Sequence, residues 1–199
     1  SFLWQLSERN TSAVLTLNVH RHVDRIVAAL PEARFIHLLR DPRDVARSSI
    51  GMGWAGNLYC GVDHWIRTER AWDVASVRLR PENVITLKYE DLISHTEAEL
   101  RRVCGFLDHP YEPEMLSYHE GTTYEQPDKS LIEQWRRKSS SHEIALVEGK
   151  TAALMITRGY APVTQGHHPG LFEKIQLSFV NKLQIWRVGS VRSQALKTR

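Results

Sequence analysis

Arg34-Phe35-Ile36-His37-Leu38-Leu39-Arg40-Asp41-Pro42-Arg43-Asp44-Val45-Ala46-Arg47-Ser48-Ser49 joins an apolar run to a charged turn and a helix-like segment. Phe35 to Leu39 is a short apolar run that stops abruptly at Arg40-Asp41-Pro42. A run of that length bounded by a turn signal predicts a buried strand. Pro42 suits the first turn of a helix, where its missing N–H costs nothing, and Asp41 stands where an N-cap belongs. The segment therefore reads as strand, tight turn and helix over Pro42 to Ile50. Such a junction suits an anion, because free N–H groups and the positive end of the helix dipole face it. Arg40 adds a fork of donors at the strand end. Ser48, eight residues further on, lies about two helical turns away and offers a hydroxyl. The pattern also admits a second reading, a surface salt cluster of Arg40, Asp41, Arg43 and Asp44 around a helix start.

Working outward, the flanks repeat the alternation of strand and helix. Ala13 to Leu17 is β-like. His20 to Leu30 has apolar residues at helical spacing and stops at Pro31. Val62 to Leu79 predicts a long amphipathic helix, Val84 to Leu87 a third strand, and Thr96 to Leu107 another helix. His109 to Asp128 is rich in turns. Lys129 to Arg137, Glu143 to Thr157 and Leu171 to Trp186 read as helices, followed by a basic, polar tail. Strands alternating with long helices imply βαβ units, hence an α/β fold with a parallel sheet flanked by helices. Ligands bind at the carboxyl ends of the strands in such sheets. Polar groups stand there: Asn18 and His20, then Arg40, then Lys88, Tyr89 and Glu90.

The bulk properties set outer limits. The chain has 199 residues, 42% hydrophobic and 25% charged, with a net charge of +3. That is enough for one sizeable core, and its charges are interspersed, which argues against a nucleic-acid-binding domain defined by charge. Two cysteines, Cys60 and Cys104, are too few for a disulfide scaffold. No run has the length of a membrane span and no signal peptide is visible, so the expected location is cytoplasmic. The chain starts at Ser1 rather than Met, and the expectation is a fragment of something longer.

Three motif-like features are set aside. Glu148-Gly149-Lys150-Thr151 contains a Gly-Lys-Thr, but Ile144 stands where a phosphate loop needs its first glycine, and the pattern around it is helical. The Gly51 to Asn57 loop lacks the lysine and framing of such a loop. His20-Arg21-His22 and His167-His168 show no third metal ligand at a suitable spacing.

The ordered set of motifs over residues 13 to 161 resembles the PAPS-dependent sulfotransferases. Phe35 to Ser48 is similar to that family's 3′-phosphate-binding segment, with Arg40 and Ser48 at its two key positions. Tyr89-Glu90-Asp91-Leu92 after a strand resembles the next landmark, and Trp135-Arg136 the one near the end of the domain. The resemblance implies a P-loop nucleoside-kinase-like fold and transfer of a sulfuryl group from 3′-phosphoadenylyl sulfate (PAPS) to a hydroxyl or amine. It implies Arg40 and Ser48 on the 3′-phosphate, Tyr89 on the adenine and Lys129 on the same phosphate, where the family often has an Arg. It places the catalytic base at His20, with His22 as the alternative, since Leu17-Asn18-Val19 replaces the family's Lys-Thr-His or Lys-Thr-Pro context. No metal is required by this chemistry, and the product nucleotide is adenosine 3′,5′-bisphosphate.

The family's Pro-Lys-Ser-Gly-Thr-type loop for the 5′-phosphosulfate appears nowhere in the sequence. The expected division is a C-terminal portion of a sulfotransferase domain over 1–163. A loop, an amphipathic helix and a basic tail over 164–199 would pack on it. The expected acceptor is a small molecule or a glycan. The apolar face of the last helix is expected against the domain, with a homodimer or a membrane surface as alternatives. Two other functions stay open: a P-loop nucleotide or sugar kinase, and a non-catalytic nucleotide-binding relative.

Overall fold

The structure, a computed structural model, describes residues 15–20, 22–121, 126 and 128–197. Strands β1 (Phe35–Leu39) and β2 (Val84–Lys88) pair in parallel, Phe35 opposite Val84 and Leu39 opposite Lys88. The crossover between them holds helices α2 (Pro42–Gly51), α3 (Leu58–Gly61) and α4 (Asp63–Ser76), then a 3-10 turn at Pro81–Asn83. Parallel strands need a connection of this kind because a hairpin cannot reach from the end of one to the start of the next. Helix α1 (Val23–Ala29) precedes β1, and α5 (Tyr89–Ser94) and α6 (Thr96–Leu107) follow β2. After 3-10 segments at Pro113–Gly121 and Lys129–Leu131 come α7 (Gln134–Lys138), α8 (Ser141–Thr157) and α9 (Leu171–Lys197).

One face of the sheet packs on α1 and α4. Phe35 and Val84 meet Val27, Ala75 and Leu79 there, together with Val23 and Trp72. On the other face Ile85 and Leu87 are buried, whereas Ile36 and Leu38 are 41% and 52% exposed. The far edge of β2 is blunted by Arg102, whose Nη2 donates to the Thr86 carbonyl (3.0 Å). A second core joins α2, α3, α4 and α8 through Ala46, Leu58, Val62, Trp65, Val147 and Met155, with Tyr160 closing it. Helix α8 starts on a capping box, Ser140 with Glu143, which satisfies two otherwise orphaned backbone donors.

The α/β class and the β1–α2 junction agree with the sequence reading, and three elements differ from it. The expected strand at Ala13 to Leu17 does not form over residues 15–17, and residues 13 and 14 lie outside the described residues. Leu15 is exposed and pairs with no strand among the described residues, so β-propensity alone does not make a strand there. The expected Lys129 to Arg137 helix is two pieces, broken at Glu133, which takes a left-handed φ of 49°. Helix α9 touches the domain through Leu177 and Asn181 against Gly56 and Asn57. Its aromatic stripe, Phe172, Phe179 and Trp186, is exposed rather than packed.

Candidate anion site at the end of the first strand

Arg40 leaves β1 with its backbone clamped from both sides. The indole Nε1 of buried Trp65 donates to the Arg40 carbonyl (3.1 Å). The next amide, Asp41 N–H, donates to Glu90 Oε1 (2.9 Å), and Tyr160 Oη donates to Glu90 Oε2 (2.9 Å). Glu90 sits just past the end of β2, so the parallel pairing brings it to the turn that follows β1. The Tyr160 phenol, buried beside that carboxylate, has its pKa pushed far up by burial and by the neighbouring charge.

The Arg40 side chain is half-buried. Its guanidinium lies over the Tyr89 ring, 4.2 Å from the centroid, and Nη2 donates to the Leu131 carbonyl (3.0 Å). Its Nε is shut off from solvent and has no hydrogen-bond partner among the described residues. A charged donor in that state is costly, since desolvation is not offset by a bond. Leu131 ends the 3-10 turn that Lys129 begins. Asp128 caps that turn by accepting from Ser130 N–H (2.7 Å) and Oγ (2.6 Å), and Arg137 donates to the Ser130 carbonyl. Arg40, Tyr89 and the Lys129–Leu131 turn therefore meet at one point, joined from segments up to 91 positions apart.

The rest of the opening stretch faces inward. Asp41, Arg43 and Asp44 are buried. Arg43 donates from Nε and Nη2 to the two oxygens of Asp41 (2.9 and 2.7 Å) and from Nη1 to Glu148 Oε1 (2.6 Å), while Trp135 stacks on its guanidinium at 3.8 Å. Asp44 Oδ1 accepts the Trp135 amide (2.9 Å). The surface salt cluster thus becomes a buried network with Arg40 left out of it. The helix N-terminus is also not open as the anion shelf the sequence suggested. The Asp41 carboxylate already accepts the Arg43 N–H (2.9 Å), so the chain's own acid takes the place of an anion. Arg40, not the helix end, offers the donors.

Burial pushes the Asp44 carboxyl up to about 6, against the opposing pull of the Trp135 amide and of Arg40. Glu148 goes the other way. Burial opposes its charge, but the Thr164 hydroxyl, the Val163 and Thr164 amides and Arg43 all donate to it and hold its pKa down.

The remaining predicted residues fall as follows. Ser48 lies on α2, half-buried, with no hydrogen bond from its hydroxyl among the described residues. Lys129 is exposed on its turn. His20 and His22 are both exposed, and His22 holds a left-handed φ of 58° as the residue before α1. Among the described residues no hydrogen bond links either histidine to Arg40, Tyr89 or Lys129. Glu90, Trp65 and the Leu131 carbonyl were missed as supports of Arg40. Only Glu90 carried a signal, its place at a strand end. The Gly149-Lys150-Thr151 decoy lies inside α8, and Lys150 is engaged by Asp63 and the Tyr59 carbonyl (both 2.7 Å).

Comparison with known proteins gives three findings. A search of curated proteins finds no match. Among solved structures, a sulfotransferase domain from the curacin biosynthetic pathway aligns with a TM-score of 0.49 and 21% identity, covering 60% of this chain and 53% of that one. This chain thus spans about half the length of that domain. The family model described as the sulfotransferase family matches residues 3–113, more than half of the chain, a span that includes His20, Arg40, Ser48 and Tyr89 but not Lys129. With that match, the chain belongs to the sulfotransferase family.

Proposed function

We propose that this chain carries the 3′-phosphate half of a PAPS site, in an enzyme that transfers the sulfuryl group to a hydroxyl or amine of a small-molecule or carbohydrate acceptor. The observation that carries the proposal is the buried, unpartnered Nε of Arg40. A phosphate oxygen there would satisfy the orphaned donor and receive a charge-assisted bond from a guanidinium whose backbone is already clamped. Lys129 would add a second cation from its turn. Ser48 would contribute a hydroxyl from α2, and the half-buried ring of Tyr89 would offer a surface to the adenine.

The reaction is an in-line displacement at sulfur. The acceptor oxygen or nitrogen forms a bond to sulfur, the bond from sulfur to the bridging phosphate oxygen breaks, and adenosine 3′,5′-bisphosphate leaves with that electron pair. The acceptor's proton goes to a base, and imidazole suits that role near neutral pH. His20 is the proposed base, with His22 as the competitor. Arg40 acts far from the reacting sulfur, so its binding energy orients the donor rather than stabilising the leaving group.

The test is ligand-induced stabilisation, since a ligand of the native state raises stability by mass action, about 2.7 kcal/mol at a hundred times Kd. Adenosine 3′,5′-bisphosphate is expected to raise the melting temperature where 5′-AMP, which lacks only the 3′-phosphate, and ATP do not. Equal shifts with 5′-AMP, or a shift with ATP that depends on Mg²⁺, would count against the proposal.

A further inference from the structure

We propose a site for a single divalent transition-metal ion of zinc's class at His142, His167 and Glu173, separate from the Arg40 site. The three residues come from three places: the second position of α8, the loop between α8 and α9, and the third position of α9. The Glu173 carboxylate bridges the two rings, with Oε1 2.9 Å from His142 Nε2 and Oε2 2.7 Å from His167 Nε2. The ring centroids are 5.1 Å apart, and one ligand atom from each residue falls within 4.8 Å of the others. Two imidazoles and one carboxylate make a donor set typical of zinc and its neighbours.

The geometry needs little change. Bonds of about 2.0–2.1 Å in a tetrahedron set ligand atoms roughly 3.4 Å apart. The two imidazole–carboxylate spacings, 2.9 Å to Oε1 and 2.7 Å to Oε2, lie roughly half an ångström or more inside that, so a bound ion spreads three side chains that already meet. The ion takes the place of the two Nε2 hydrogens now directed at the carboxylate, and each ring carries its proton on Nδ1 instead. Side-chain exposures of 61%, 41% and 29% for His142, His167 and Glu173 leave the site open to water as the fourth ligand.

The loop that carries His167 is held in place before any ion arrives. His167 N–H donates to the Ala145 carbonyl (2.7 Å), and a Cβ on Gly149 would stand 2.2 Å from the His167 oxygen. Gly166 holds a left-handed φ of 74°, and a Cβ there would stand 3.1 Å from the Gly149 Cα. This contact fixes the His167 backbone against the same helix that carries His142, so two ligands are set by the packing of α8. Because Glu173 begins α9, a bound ion ties that long helix to α8. His167 looked unsupported in the sequence because its partners lie 25 and 6 positions away on other elements.

The experiment strips the full chain with a chelator and titrates it with Zn²⁺ by calorimetry, then with Co²⁺ by visible spectroscopy. The expected result is one ion per chain in the micromolar range, Co²⁺ d–d bands of a four- or five-coordinate site, and a rise in melting temperature with Zn²⁺. Losing a ligand is expected to weaken binding by more than the roughly 10–100-fold typical of an outer-sphere partner. His142→Ala, His167→Ala and Glu173→Gln should each do so, the last keeping the shape of the site and the metal-free circular dichroism. Wild-type Zn²⁺ affinity in Glu173→Gln and His142→Ala, or no binding up to millimolar Zn²⁺, overturns the proposal. Neither result depends on nucleotide binding.

Discussion

Replacing Arg40 by alanine separates what the residue does for the fold from what it does for a ligand. Among the described residues its side chain makes one hydrogen bond, to the Leu131 carbonyl, and one stacking contact, with Tyr89. A hydrogen bond from a charged group is worth about 1.5–3 kcal/mol and an exposed cation–π contact about 0.5–1 kcal/mol. Arg40 is half-exposed, and its loss also removes an unsatisfied buried donor, which offsets part of the cost. The variant is therefore expected to lose no more than about 3 kcal/mol of stability and to stay folded. The ligand effect is larger. Truncating one partner of a desolvated charge pair costs about 2–5 kcal/mol. At about 1.4 kcal/mol per tenfold, that is a loss of affinity between roughly 30-fold and several thousand-fold. Calorimetric titration with adenosine 3′,5′-bisphosphate and with 5′-AMP reads it, beside a thermal melt of the same samples. The loss should be confined to the bisphosphate. Wild-type affinity in Arg40→Ala would refute the reasoning, and so would an equal loss for both nucleotides, because Arg40 would then not be reading the 3′-phosphate.

Two further outcomes follow from the same structure. His20→Ala is expected to bind the bisphosphate as wild type does while losing the proposed sulfuryl transfer. If His22→Ala shows that pattern and His20→Ala does not, the base is His22. For Asp44, the folded pKa of about 6 lies above its usual value of 3.8. The folded state then holds a proton that the unfolded state releases between those pH values, so this group's contribution to stability falls as pH rises from about 4 to about 6 and stays low above it. A displacement of about two units at about 1.4 kcal/mol each bounds the effect near 3 kcal/mol. Asp44→Asn cannot titrate. Denaturant melts should show wild type losing stability relative to Asp44→Asn across that pH interval, and parallel curves for the two proteins would disprove the account.

The local reading succeeded where the signal was itself local. Phe35–Leu39 is the predicted strand, Pro42 opens a helix with Asp41 as its cap, and Thr96–Leu107 is the predicted helix. Each rests on neighbours a few positions away: a bounded apolar run, a proline that only a first turn tolerates, an apolar spacing of helical period. The reading failed where the decision belongs to distant partners. Leu15 to Leu17 have β-like residues and no ladder. Lys129 to Arg137 has helical residues and a break at Glu133. The apolar stripe on α9 has helical spacing, yet another face of that helix meets the domain.

The opening stretch shows the same division at the scale of single side chains. A strand ending at Arg40, a helix beginning at Pro42 and a turn crowded with charge are all written into neighbouring residues, because backbone sterics and capping act within a few positions. Those neighbours leave open which of the charges would serve the fold. Arg43 turns inward because of long-range packing, since its partner Glu148 lies 105 positions away and its stacking partner Trp135 is brought in by α7. Only tertiary structure brought Tyr89 and the Leu131 carbonyl to Arg40 and left its Nε without a partner. Desolvation is the physical reason. A buried charge must find its counter-charge wherever the fold delivers one, and the chain's order carries no record of that distance.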